Sequence, residues 1–369
     1  MIEVKNLFNF FKKNKINYFT GVPDSVLKAT NEFFKNKSEN KHFITSNEGS
    51  AVAMAIGYHL ATKKIPCVYM QNSGLGNALN PIISIAHKKV YSIPMLLIIG
   101  WRGAPNQKDE PQHEVQGKIT LQILNLLKIK FLILKDDNDI KKINPLLKRA
   151  KNKKEIVAII IKNKSLLKNP NLKKKIETKN NVNRSKFLDD LIKLSKKDTK
   201  FISSTGFNSR ELYQIRVDKK LNKDSDFYLV GGMGHTAMVS LGVSLNSKKD
   251  VLCIDGDGSL LMHMGSILTF TNFGKKNLKY ILLNNNVHES VGNQPTFSKN
   301  INFKLFSKAL NFRSYFKISR QSETSIILKK FLKSASPSFL EVRTNNKNNY
   351  DLLRPTNLID LKNKFKNSL

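Results

Sequence analysis

Short apolar runs that end in small or polar turn residues and then give way to helical spacing recur along nearly the whole chain. FITSN (43–47) leads into GSAVAMAIGYHLATKK, and IPCVYMQN leads into GLGNALNPIISIAHKK. IPMLLIIGW, FLILK (131–135) and EIVAIIIK (155–162) follow. A strand that must cross over a helix before the next strand pairs in parallel, and such sheets are covered on both faces. The second half repeats the rhythm in FISSTG, DFYLVGGMGHTAMVSLGVSL, DVLCIDGDGSLLMHMGSILTF, LKYILLNNN and SFLEVRT. Between the halves, residues 163–186 are polar, rich in Lys and Asn, and contain Pro170. The expected fold class is α/β, with two doubly wound parallel-sheet domains at 1–165 and 187–369 and a linker at 166–186. The opening MIEVKNLFNFFKKNKINYF reads as one amphipathic helix, and SVLKATNEFF as another.

Several classes of function drop out early. No run of about 18 apolar residues exists, and the longest, Ile93 to Trp101, is interrupted by Pro94, so no membrane span is expected. The N-terminus lacks the apolar core and cleavage site of a signal peptide. Cys67 and Cys253 sit in apolar runs without zinc spacing or a disulfide framework, which points to a reducing cytoplasm. The net charge of +35 raises nucleic-acid binding, but the lysines are scattered among asparagines, with no arginine block and no aromatic-basic signature. The charge does favour anionic substrates.

The strongest local signal is Gly256-Asp257-Gly258-Ser259 after the apolar strand VLCI. Glycines allow close approach of backbone to ligand, a new helix offers free N–H groups to a phosphate, and Asp257 is a hard oxygen donor for Mg²⁺. An ordinary tight turn is the competing reading. An EF-hand loop counted from Asp255 would need Gly at its sixth position and Glu at its twelfth; Leu260 and Ser266 stand there, so calcium is excluded. One helix and one strand later, LKYILL ends in Asn284-Asn285-Asn286-Val287. Ligands of parallel sheets collect at the carboxyl ends of strands, which brings Asp257 and Asn285 within reach of one ion.

GDGS, an intervening helix and strand, then NN resembles the cofactor motif of thiamine-diphosphate enzymes. The resemblance covers nearly the whole chain, as a pyrimidine-binding domain followed by a diphosphate-binding domain with no room for a middle domain. It implies that Asp257, Asn285 and the Val287 carbonyl bind Mg²⁺, and that Gly256, Gly258 and Ser259 cradle the cofactor. Glu48, in TSNEGSAVAMAIGYHLA, would bond the aminopyrimidine ring; a carboxylate favouring a helix start is the alternative. In Gly231-Gly232-Met233-Gly234-His235, Met233 would hold the cofactor bent, with Gly232 and Gly234 beside it. His235 would face the diphosphate or substrate, or simply begin a helix.

GVPDS (21–25), RGAPNQKDEPQH (102–113), DGDGSLLMHMGS (255–266) and HESVGNQPT (288–296) resemble the phosphonopyruvate decarboxylases within that family. The implied reaction converts 3-phosphonopyruvate to phosphonoacetaldehyde and CO₂ in phosphonate biosynthesis. Sulfopyruvate decarboxylase, or another decarboxylase or carboligase of the family, is the alternative. Asp24 and His113 are the acid–base candidates, Asp24 doubling as a possible N-cap. Ser25, Arg102, Lys108, His235 and His288 are candidates for contact with the anionic substrate. Asn286 and Asn293 stand where relatives carry Gly and are expected at positive φ. The resemblance also implies a homo-oligomer, at least a dimer, with shared active sites.

Overall fold

A computed structural model of the chain describes residues 1–30, 33–34, 41–167, 182–345 and 351–369 and divides into two units, Met1–Lys174 and Lys175–Leu369. Residues 168–181 of the expected linker lie outside the described residues; at its far end a helix has begun by Arg184, capped by the Asn183 side chain.

The first unit carries β1 (Tyr18–Gly21), β2 (Lys41–Ile44), β3 (Cys67–Gln71), β4 (Met95–Trp101), β5 (Lys130–Leu134) and β6 (Ile156–Lys162). They form one sheet in the order β2-β1-β3-β4-β6-β5, every pair parallel. The strict period of two in a strand sends alternate side chains to opposite faces. Leu96 and Ile98 of β4 therefore join the core under the first helix, with Phe8 and Phe11. Leu97 and Ile99 join the core under the helix Glu48–Thr62, with Val52 and Ala55. Both faces are covered, which is why the inner strands β4 and β6 are almost continuously apolar.

The second unit repeats the scheme with β7 (Lys200–Ser203), β8 (Asp226–Tyr228), β9 (Val251–Gly256), β10 (Leu278–Asn284), β13 (Ser314–Ile318) and β14 (Ser338–Arg343). Their order is β13-β14-β10-β9-β7-β8, again all parallel. A two-residue antiparallel ribbon, β11 (Val287–His288) with β12 (Gln294–Pro295), stands beyond β10. In each unit the chain steps outward once, to β2 or β8, and then returns to build the other side. The reversal falls between β1 and β3 in one sheet and between β7 and β9 in the other. Connections leave in opposite directions there, so a crevice opens at the carboxyl ends of the strands.

One sequence expectation is corrected and a second is narrowed. The first amphipathic helix ends at Lys13, and Tyr18 and Phe19 belong to β1. Lys15 turns the chain at φ 58°; beyond it Phe19 enters one core while Tyr18 stacks on Tyr58 at 4.0 Å on the other face. Side chains on opposite faces demand a strand. Over SVLKATNEFF the described residues form a 3-10 turn at Lys28–Thr30, after Val26 and Leu27 have entered the core, and are α-helical at Phe33 and Phe34, so the expected helix starts later than Ser25.

The edge strand β8 is tied to the helix Phe207–Asp218 by a buried ion pair. Arg216 donates to both Asp226 oxygens at 2.8 Å, and Tyr228 donates to Asp226 Oδ2 at 2.6 Å. Removing one partner strands the other in the core. Arg216→Met is expected to destabilise the protein by about 3–5 kcal/mol in urea unfolding followed by circular dichroism.

Candidate functional site

In the first unit the sequence-selected residues gather on the loops after β1, β2 and β4. Asp24 follows β1 and is 2% exposed. Its Oδ2 accepts the Leu27 N–H at 3.1 Å, so it does cap the following turn; its Oδ1 is buried without a partner among the described residues. Burial pushes its carboxyl up to about 6, against the pull of neighbouring N–H groups and Arg102. A carboxyl poised there holds its proton across a useful range near neutrality.

Arg102 directly follows β4, but its guanidinium is already engaged. Nε donates to Asp109 Oδ2 at 2.8 Å, Nη1 donates to Ser25 Oγ at 3.0 Å, and Nη2 lies against Asp109 and Glu110. The fork expected to face a ligand oxyanion is thus occupied by Asp109, and Arg102 presents local charge and an oriented Ser25 hydroxyl. His113 opens the helix Pro111–Leu126; burial and Arg102 push its imidazole down to about 4, so it is neutral at pH 7. Lys108 is exposed.

Glu48 is the first residue of its helix and 5% exposed, and the N-cap is the preceding Asn47, whose side chain accepts the Ser50 N–H at 2.8 Å. Asn77 Nδ2 donates to Glu48 Oε2 at 2.8 Å. A Cβ on Gly74 would lie 2.5 Å from Glu48 Oε1, so only glycine leaves room for this carboxylate. Sequence reading missed Asn77, Gly74 and Asp109. It also missed Asn72 after β3, which bonds the Arg102 backbone N–H at 3.1 Å and carbonyl at 2.9 Å. Their signal lies in side-chain direction across the sheet, which spacing does not carry.

In the second unit Asp257 stands at the end of β9 and is 3% exposed. Its Oδ2 accepts Thr296 Oγ1–H at 2.5 Å and Ser298 Oγ–H at 2.8 Å, and burial pushes its carboxyl up to about 6. Asn285, just past β10, accepts the Val287 N–H through Oδ1 at 3.1 Å and donates through Nδ2 to Glu289 Oε2 at 2.9 Å. Asn286 (φ 63°) and Asn293 (φ 60°) do occupy the left-handed region. Asn286 Oδ1 accepts from Arg343 at 3.3 Å and lies 3.0 Å from Ser298 Oγ.

Gly232 (φ 64°) and Gly234 (φ 91°) turn the chain after β8, and Gly234 N–H donates to Ser259 Oγ at 3.0 Å. This bond ties the Met233 turn to the GDGS turn. A Cβ on Gly258 would meet the His288 ring at 2.8 Å and Met233 Cε at 3.1 Å, so the three converge around one bare backbone. His235 stacks on His263 with centroids 4.7 Å apart, and burial pushes His288 down to about 4.

Among the described residues no cluster of three His, Cys, Asp or Glu side chains has a metal-binding arrangement. The available donors are instead one carboxylate, one amide oxygen and one backbone carbonyl, at Asp257, Asn285 and Val287. Asp257 has hydroxyl donors and no ion-pair partner among the described residues. A buried carboxylate in that state favours a nearby cation, and an all-oxygen set suits a hard one. The residues present therefore fit Mg²⁺ with a phosphate-bearing cofactor at the same strand ends.

Two family models match the chain. The model for "Thiamine pyrophosphate enzyme, N-terminal TPP binding domain" matches residues 4–124, and that for "Thiamine pyrophosphate enzyme, C-terminal TPP binding domain" matches residues 205–342. A phosphonopyruvate decarboxylase of Streptomyces viridochromogenes is 29% identical over 338 residues, covering 87% of this chain and 83% of that protein. One of Streptomyces hygroscopicus is 30% identical over 310 residues, covering 80% and 75%. A sulfopyruvate decarboxylase of Methanosarcina acetivorans is 26% identical over 318 residues, covering 80% of each.

The Asp24 carboxyl binds its proton more tightly folded, at about 6, than unfolded, near 3.8. Its contribution to stability is therefore full below about pH 4 and is lost as pH rises through about 6, an effect of up to ~3 kcal/mol. In urea unfolding at pH 4.5 and 7.5, Asp24→Asn is expected to lack that component.

Proposed function

The chain belongs to the thiamine pyrophosphate enzyme family, and from that premise we propose that it decarboxylates 3-phosphonopyruvate to phosphonoacetaldehyde and CO₂ in phosphonate biosynthesis. The observation that carries the substrate is the likeness, over four fifths or more of this chain, to two phosphonopyruvate decarboxylases. The residues are compatible with a small anionic acid: the first unit offers a half-buried arginine, an oriented hydroxyl and the neutral imidazole of His113, and the second unit the neutral imidazole of His288.

Thiamine diphosphate, when bound, would supply the electron sink for the bonding pair left behind as CO₂ departs. The chain's residues supply the rest. Asp257, Asn285 and the Val287 carbonyl would hold Mg²⁺, with Gly256, Gly258 and Ser259 against the diphosphate. Gly232, Met233 and Gly234 would support the cofactor beside them. Glu48 would bond the aminopyrimidine ring, held by Asn77 against the bare face of Gly74. Asp24, with its carboxyl near 6, suits proton donation to the product, and His113 suits uncharged acid–base or hydrogen-bonding work. Ser25, Arg102, His235 and His288 would contact the carboxylate or phosphonate. Arg102 acts there through charge and through Ser25, because Asp109 holds its fork.

A sulfonate in place of the phosphonate is the second reading, favoured by the 26% identical sulfopyruvate decarboxylase. We further take the enzyme to be a cytoplasmic homo-oligomer, at least a dimer. Buried free thiols at Cys67 and Cys253 are compatible with a reducing compartment, and no described helix is long and apolar enough to cross a membrane.

The test is CO₂ and aldehyde release from phosphonopyruvate, sulfopyruvate and pyruvate, with Mg²⁺ and thiamine diphosphate added or withheld. Cofactor-dependent turnover preferring phosphonopyruvate is expected; preference for another acid moves the substrate, and no turnover of any of the three refutes the reading. Glu48→Gln is expected to lower kcat by at least about 100-fold while cofactor binding by calorimetry stays within a few-fold of the parent. Asp257→Ala is expected to lose Mg²⁺-dependent cofactor binding altogether.

A further inference from the structure

An asparagine side chain has two ends of nearly equal size and opposite hydrogen-bonding character. If Asn285 ligates a metal, its oxygen must face the ion, and something must stop the amide from rotating by half a turn. Two groups oppose that rotation. The Val287 N–H donates to Oδ1 at 3.1 Å, and Glu289 Oε2 accepts from Nδ2 at 2.9 Å. An ionised carboxylate only accepts, so a flipped amide would set oxygen against oxygen at Glu289 and N–H against N–H at Val287.

Glu289 is itself held from behind. Arg184, at the start of the helix Arg184–Leu194, donates through Nη1 to the same Oε2 at 3.1 Å and through Nη2 to Glu211 Oε1 at 2.8 Å. Ser185 Oγ donates to Glu211 Oε2 at 2.9 Å. Arg184, Glu211 and Glu289 are all buried. A buried network of this kind has a desolvation cost and is weak as a stabilising device, but it fixes direction well. Its outer end is the amide nitrogen of Asn285.

We propose that Glu289, anchored by Arg184, is a positioning residue that sets which end of the Asn285 amide is offered to the metal. Glu289 makes no contact with the ion itself. The inference rests on the reading of Asn285 as a Mg²⁺ ligand.

The test measures binding of Mn²⁺, used in place of Mg²⁺, by electron paramagnetic resonance with thiamine diphosphate present and no substrate. Glu289→Leu removes the acceptor and is expected to weaken binding about 10–100-fold. Glu289→Gln keeps one carbonyl oxygen able to accept from both Asn285 and Arg184, and is expected to bind within about 3-fold of the parent. The decisive variant is Asn285→Asp in the Glu289→Leu background. An aspartate offers an oxygen whichever way it turns, so affinity should return, whereas a general structural defect would not be repaired. If Glu289→Leu fails to fold, the triple variant R184M/E211Q/E289M removes the whole charged group and takes its place, with the same rescue by Asn285→Asp. Parental affinity in Glu289→Leu or the triple variant, or failure of the aspartate rescue, overturns the proposal. Asn285→Ala and Asp257→Ala are run beside them: if both keep parental Mn²⁺ affinity, the metal-site reading has failed instead.

Discussion

A carboxylate buried at the end of a central strand, with hydroxyls as its side-chain partners, governs the second unit. Asp257 sits at the carboxyl end of β9, and Thr296 and Ser298 both donate to its Oδ2. Those two hydroxyls arrive because the chain folds back through the ribbon of β11 and β12, which also sets Ser298 Oγ 3.0 Å from Asn284 Oδ1 and from Asn286 Oδ1. The buried charge thereby fixes the loop that carries Val287 and His288. Asn also serves at 286: the positive φ a glycine would supply is kept, and the added amide oxygen takes a bond from Arg343.

The first unit solves a similar problem with less charge and more close contact. Glu48 keeps its place because Gly74 has no side chain and Asn77 reaches its carboxylate. Asp24 is held by the Leu27 N–H in surroundings that raise its proton affinity. Asn72 and Asp109 lock Arg102 through backbone and side chain respectively. In both units the groups with chemistry stand just past the carboxyl ends of the parallel strands, some at the strand-order reversal (Asp24, Asp257) and others beside it (Glu48, Arg102, Asn285).

Much of this was legible in the sequence. Long apolar runs became strands at nearly the expected places, because a strand buried on both faces needs them: Met95–Trp101 and Ile156–Lys162 are examples. The glycine-rich turns and the Asn pair were legible because close backbone approach and positive φ restrict residue choice. What misled was periodicity without context. Tyr18 and Phe19 continued a plausible helical stripe, yet their rings go to opposite faces of a sheet. The first half of SVLKATNEFF also suited a helix, but Val26 and Leu27 are drawn into the core and α-helix appears only at Phe33 and Phe34. Arg102 looked available for an oxyanion, and nothing local announced that Asp109, seven residues on, would take its fork.

The sequence by itself determined the two-sheet α/β class, the order of the motifs and the chemical types placed at the strand ends. These follow from local rules: alternation of strand and helix, turn geometry, and the oxygen donors a hard cation needs. Tertiary structure alone decided which of those groups meet and how each is aimed. Asn285 and Glu289 are four residues apart, but Arg184 is over a hundred residues distant, and Thr296 reaches Asp257 across 39. Hydrogen-bond direction depends on where buried partners lie in space, and one-dimensional spacing records no such direction. The orientation of a single amide therefore belongs to the fold, even though its identity belongs to the sequence.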